Sequence, residues 1–171
     1  MNEIIAKALL VGAVALYMGI VTFNNITDYG SNLAFVQHVL SMDTTFPGNR
    51  LMWRALPSAP VHHAFYAGIM AWEGATALAL AWASVRLWRA RLGDAAARAR
   101  AKSFAACALV ANLLLWFLAF LTVGGEWFAM WQSQVWNGQT AAFRMFACVG
   151  IVLLYVRMPE DAPEAGVPPP R

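Results

Sequence analysis

Charge is scarce in this sequence. Only 12% of its 171 residues are Asp, Glu, Lys or Arg, about half the roughly 25% of an ordinary soluble domain. A fold surrounded by water would struggle to cover its surface with so few. The apolar fraction of 60%, against roughly 45–50% in soluble domains, points the same way. The net charge of +3 does not imply nucleic acid, because no nucleic-acid module is present around the basic residues. Cysteine is nearly absent: Cys107 and Cys148 are the only two. Both lie in apolar runs, so they read as small buried hydrophobes, and a disulfide framework is not expected. There is no glycine-rich phosphate loop, and Gly124-Gly125 reads as a helix break or hinge, although the third apolar run can continue past it. Serine and cysteine nucleophiles lack a base at matching depth, so the sequence leans away from an enzyme.

Long apolar runs take the place of charge. A helix rises about 1.5 Å per residue, so crossing about 30 Å of hydrocarbon takes about 20 apolar residues. Four runs meet or approach that length, about 4–23, 61–87, 95–122 and 139–156. The expected fold is all-α, a four-helix transmembrane bundle. Residues 1–158 would form one transmembrane domain and 159–171, rich in proline and acid, a disordered cytoplasmic tail. The first run has no small-x-small cleavage site behind it and reads as a retained span. Orientation follows from the basic residues. The link between the second and third runs holds Arg86, Arg89, Arg91, Arg98, Arg100 and Lys102. With Lys7, Arg157 and Arg171 these are nine of the 12 basic residues, and only Arg50, Arg54 and Arg144 fall on the other side. Both termini are therefore expected in the cytoplasm. In the link, Gly93 suits a helix C-cap and Asp94 the N-cap of the third span.

Helices in lipid associate through close contact between small residues. The second span carries Ala67, Ala71, Ala75, Ala79 and Ala83 at intervals of four, and the first offers Ala8, Gly12, Ala15 and Gly19. These strips are expected to face each other or a partner protein. Of eight tryptophans, Trp53, Trp127, Trp131, Trp136 and Trp88 fall near span ends, as an aromatic belt requires. Trp72, Trp82 and Trp116 lie deeper.

The segments between spans are mixed. The first, Asn24 to Pro60, is too long for a bare connector. It opens with a polar turn through Ser31 and continues with Leu33 to Leu40, apolar enough for a short interfacial helix that Ser31 would cap. A second short helical turn is expected at Arg50 to Leu56. The strings Asn24 to Gly30, Phe35 to Pro47, Met52-Trp53-Arg54, Gly124 to Ser133, and Trp136 to Gln139 through Phe143-Arg144 resemble those of a bacterial family. Its members are described as predicted small integral membrane proteins of unknown function. The resemblance covers most of the chain and implies a four-span protein of the bacterial inner membrane. It implies no activity, cofactor or catalytic residue.

Ionisable groups at membrane depth carry the strongest functional signal. Glu73 sits about 18 Å into the second span at the helical rise, near the midplane. His62 lies three helical turns before it on the same face, with Tyr66 between them, and Asn112 on the third span reaches a similar depth. One reading is a polar path from the outer face to Glu73, serving protons or a quinone head group. The other is a protonated Glu73 bonded to Asn112 or backbone, tying helices together. Glu126 and Arg144, both near the outer ends of their spans, are expected to form an ion pair, the alternative partners of Arg144 being an anionic lipid head group and Asp28. No cofactor is predicted. Haem and metal are disfavoured, since His62 and His63 point about 100° apart and His38 lies in a loop. The expected partners are the bilayer and another membrane protein or a second copy. Two functional classes remain: a non-catalytic accessory, assembly or scaffold subunit, and a small transporter or redox protein using Glu73.

Overall fold

The computed structural model describes residues 3–159. It has five helices and, among the described residues, no strand: α1 (Glu3–Thr27), α2 (Tyr29–Ser41), α3 (Ala59–Ala90), α4 (Ala95–Leu114) and α5 (Gln139–Arg157). A wide-turned π-helical segment, Leu115–Trp127, continues α4 without a break. Short 3₁₀ turns occupy Met52–Arg54 and Met130–Gln132. Four helical stretches, α1, α3, α4 with its π segment, and α5, are long and apolar enough to cross a membrane. The 32 residues of α3 span about 48 Å at the helical rise. That exceeds a hydrocarbon core, so α3 tilts or protrudes. Large apolar side chains face outward along these helices, Leu78, Ile151 and Leu154 among them, as lipid contact requires.

α1 and α3 pack most closely, because Gly12 lets them approach. A Cβ on Gly12 would fall 2.9 Å from Ser84 Oγ, and that hydroxyl donates to the Ala8 carbonyl at 2.8 Å. Val11, Met18, Leu80 and Leu87 fill the seam, joined by Leu109 from α4 and Val149 from α5. A second apolar cluster lies at the loop end, where Val36, Val39 and Leu40 of α2 meet Tyr66, Phe128 and Met130. The strict four-residue alanine repeat does not stay on one face. Each step of four turns the helix about 40° too far, so Ala67, Ala71 and Ala75 are exposed, Ala79 is half-buried and Ala83 is fully buried. Of the glycines on α1, Gly12 makes the close approach, and a Cβ on Gly19 would meet nothing within 4 Å.

Several boundaries and environments differ from expectation. α1 runs on to Thr27, four residues past its expected end, because Asn25 finds partners inside the bundle. α2 starts at Tyr29, and Ser31 donates to Asp28 Oδ1 at 3.0 Å instead of capping it. Cys107 and Cys148 are exposed, small apolar groups facing outward. Lys7, counted only as an orientation signal, is completely buried. Its Nζ donates to the Met158 carbonyl at 2.9 Å, as does Lys102 Nζ. That carbonyl sits just past the last turn of α5, where helix carbonyls lack partners and cations are favoured. Asp94 caps α4 as expected, accepting from Ala97 N at 2.7 Å. The tail beyond Pro159 lies outside the described residues.

Candidate functional site

The polar centre forms where the end of α1 crosses the middle of α3. Asn25 is near the C-terminus of α1, where the last four carbonyls have no intrahelical partner. Tyr66 on α3 supplies one: its hydroxyl donates to the Asn25 carbonyl at 3.0 Å. The Asn25 side chain turns inward. Its Nδ2 donates to Glu73 Oε2 at 2.7 Å, and its Oδ1 accepts from Asn32 Nδ2 of α2 at 2.8 Å. Glu73 is 2% exposed, so this amide is a principal compensation for its buried carboxyl. One turn further along α3, the Thr76 hydroxyl lies 3.0 Å from the Glu73 carbonyl oxygen. Thr76 Oγ1 accepts from Asn112 Nδ2 at 3.2 Å, and Asn112 Oδ1 accepts from Trp116 Nε1 at 3.2 Å. A ladder of polar groups thus runs from α2 through α1 and α3 to α4.

The residues marked in the sequence are distributed along this ladder. His62, Tyr66 and Glu73 share the buried face of α3, but the His62 ring does not turn toward Glu73. Its Nε2 pairs with the Leu56 carbonyl and pins the incoming loop to α3. Asn112 is fully buried and reaches Thr76 in place of Glu73. The partner of Glu73 is Asn25, a residue that the sequence places in a polar turn. No periodicity singles it out, because Asn25 lies on α1 and Asn32 on α2, with the turn at Asp28 between them. Of the deep tryptophans, Trp72 donates to the Ala111 carbonyl at 3.0 Å and Trp116 to Asn112, whereas Trp82 is exposed, with the Arg89 guanidinium 5.9 Å from its ring.

Glu126 and Arg144 do not pair. Among the described residues the ion pairs are Glu3–Lys7 at 3.7 Å and His38–Asp43 at 2.8 Å, and Glu126 and Arg144 are both exposed. The junction explains why: Gly125, not Glu126, faces Gln139, where an added Cβ would fall 2.5 Å from the Gln139 amide nitrogen. Arg144 lies five residues beyond Gln139, about 140° further round α5. The histidines are engaged separately. His38 stacks on Trp136 with ring centres 4.5 Å apart, and His63 Nδ1 lies 2.7 Å from the Tyr29 hydroxyl. Among the described residues no group of three His, Cys, Asp or Glu side chains is placed to hold a metal ion.

Two cavities meet at this centre. The smaller, about 240 Å³, is lined by Asn25, Asn32, Tyr66, Glu73 and Trp116 among others. The larger, about 560 Å³, lies between α2, α3 and the π segment and is lined almost wholly by apolar side chains. Phe35, Val36, Ile69 and Phe120 line both. A bundle of four apolar helices with a buried carboxyl at its centre defines a polytopic helical membrane protein. Residues 3–159 match the family described as "Predicted small integral membrane protein (DUF2165)", and the chain belongs to that family. No curated protein and no solved structure matches it.

Proposed function

We propose that this protein is a non-catalytic accessory subunit of the bacterial inner membrane, which holds a membrane partner against the outward face of α3. The observation that carries this reading is the exposed strip Ala67, Ala71 and Ala75. Small residues spaced by four offer a smooth face on which a second helix can pack closely. The opposite charges of Glu126 and Arg144, exposed and unpaired with each other, add a polar handle at the loop end. The excess of basic residues at the hairpin end supports an orientation with both termini in the cytoplasm. Photo-crosslinking from position 71 tests the partner. A single defined protein adduct, lost when Ala75→Leu roughens the strip, is the expected result. Crosslinking to lipid alone contradicts the reading.

A second reading has its own observation. Glu73 is buried near the midplane and lines a cavity, and intramembrane carboxylates commonly mark substrate or ion paths. On this reading the protein takes up a small ligand from the bilayer or moves protons through Glu73. A Glu73→Gln variant that keeps its fold but loses ligand binding and proton movement supports it, and full retention of both contradicts it.

A further inference from the structure

The Glu73 carboxyl is only half engaged. Oε2 accepts from Asn25, and Oε1 accepts no hydrogen bond among the described residues. Neither ion pair among those residues involves Glu73. The cavity it lines also presents Phe35, Tyr66, Trp116 and Phe120. A carboxylate without a counter-charge is costly in apolar surroundings, and aromatic faces attract cations, quaternary ammonium groups above all.

The geometry points to an amphipathic organic cation as the occupant, its protonated-amine or quaternary-ammonium head beside Glu73 and its hydrocarbon chain in the larger cavity. This rests on the second reading above and is independent of any protein partner. An anionic head would be repelled by the carboxylate, and a neutral one would leave the charge without a counter-ion. The larger cavity, about 560 Å³, falls within the roughly 300–1,000 Å³ usual for ligand pockets, and the side chains lining both cavities make them neighbours. A protonated Glu73 has no charge to offer, so cation and proton compete for the same group. Binding therefore weakens as pH falls. The other titratable groups on surrounding elements are Tyr66, His62 and His63 on α3, with Tyr29 and Asp28 where α1 meets α2; His62 is held by the Leu56 carbonyl and His63 by the Tyr29 hydroxyl. α1, the π segment and α5 present Asn25, Trp116 and Ala142, which do not titrate.

The test measures binding to the full chain in nanodiscs of a neutral galactolipid, whose sugar head carries no ammonium group, counted above protein-free nanodiscs. The probes are dodecyltrimethylammonium and 1-dodecanol. Wild type is expected to bind the ammonium saturably, about tenfold tighter than the alcohol, and less tightly as pH is lowered from about 8 to about 5. Glu73→Gln, close in shape and still an acceptor for Asn25, should bind both probes equally and without pH dependence. Gly68 lines the larger cavity, and a Cβ there meets nothing within 4 Å. Gly68→Leu should therefore weaken the dodecyl compound about tenfold and leave butyltrimethylammonium unaffected. Equal binding of cation and alcohol by wild type overturns the cation assignment, while the ligand site itself stands. No saturable binding of either probe, or a Glu73→Gln variant that keeps the preference, overturns the proposal outright.

Discussion

Asn25 and Glu73 are the residues on which the site's stability depends most directly. Asn25→Ala removes the donor to Oε2 and the acceptor for Asn32 in one step, and leaves the buried Glu73 carboxyl without its partner. Such a loss costs about 1–3 kcal/mol. Glu73→Gln keeps an acceptor and sheds the buried charge, so it should cost less than Asn25→Ala. Unfolding of both variants in one detergent checks this, and a larger loss for Glu73→Gln contradicts it. Gly12 tests the α1–α3 seam. A methyl there presses on Ser84 Oγ at 2.9 Å and displaces the hydroxyl from the Ala8 carbonyl. Gly12→Ala should therefore be tolerated better in a Ser84→Ala background than in wild type, with a coupling of about 0.5–1.5 kcal/mol. Additive effects would show that the hydroxyl is not what meets the methyl. At this scale the sequence singled out Glu73 as a buried polar centre, since a carboxylate amid apolar residues stands out. It hid Asn25, because polar residues at the end of an apolar run look the same whether they face water or turn inward.

The helices as elements were legible from their length and apolar composition. The transmembrane character, the short α2 and the 3₁₀ turn near Trp53 all follow from runs and breaks in hydrophobicity. Their ends were less legible. The first span was expected to stop at Phe23, and α1 continues to Thr27 because Tyr66 and the Asn25 partners stabilise its last turn. Gly124-Gly125 reads as a break, yet the chain passes through it as π helix. The wide turn shows in its bonds: Thr122 Oγ1 donates to the Phe117 carbonyl at 3.0 Å and Phe128 N to the Val123 carbonyl at 3.0 Å, each reaching back five residues. At the hairpin, Asp94 accepts from Ala97 N, so Asp94→Ala should destabilise the start of α4 by about 0.5–2 kcal/mol. Faster hydrogen exchange at the first amides of α4 checks it, and unchanged exchange counts against the cap.

Across the whole molecule, two ends with different chemistry frame an apolar middle. One end carries the α3–α4 hairpin and the buried Lys7–Met158 tie. The other carries α2, the 3₁₀ turns and a tryptophan-rich rim in which the Arg54 guanidinium lies 5.2 Å from the Trp53 ring and 4.6 Å from the Trp127 ring. The Glu126–Arg144 pair was expected from depth alone, and depth does not fix azimuth: the two residues share an end of the bundle without facing each other. Azimuth also separates the alanines of α3, where a spacing of four winds from the exposed surface to the core.

Hydrocarbon surrounds the middle of this bundle, and the proposed orientation puts the basic hairpin inside the cell and the tryptophan rim outside. Cys107 and Cys148 are unpaired, so a chain with both replaced can carry one new cysteine at Leu92 or Val135, which are 85% and 75% exposed. Intact cells are then treated with a membrane-impermeant maleimide. Val135→Cys should be labelled at once and Leu92→Cys only after the cells are permeabilised; labelling of Leu92→Cys in intact cells would contradict the account.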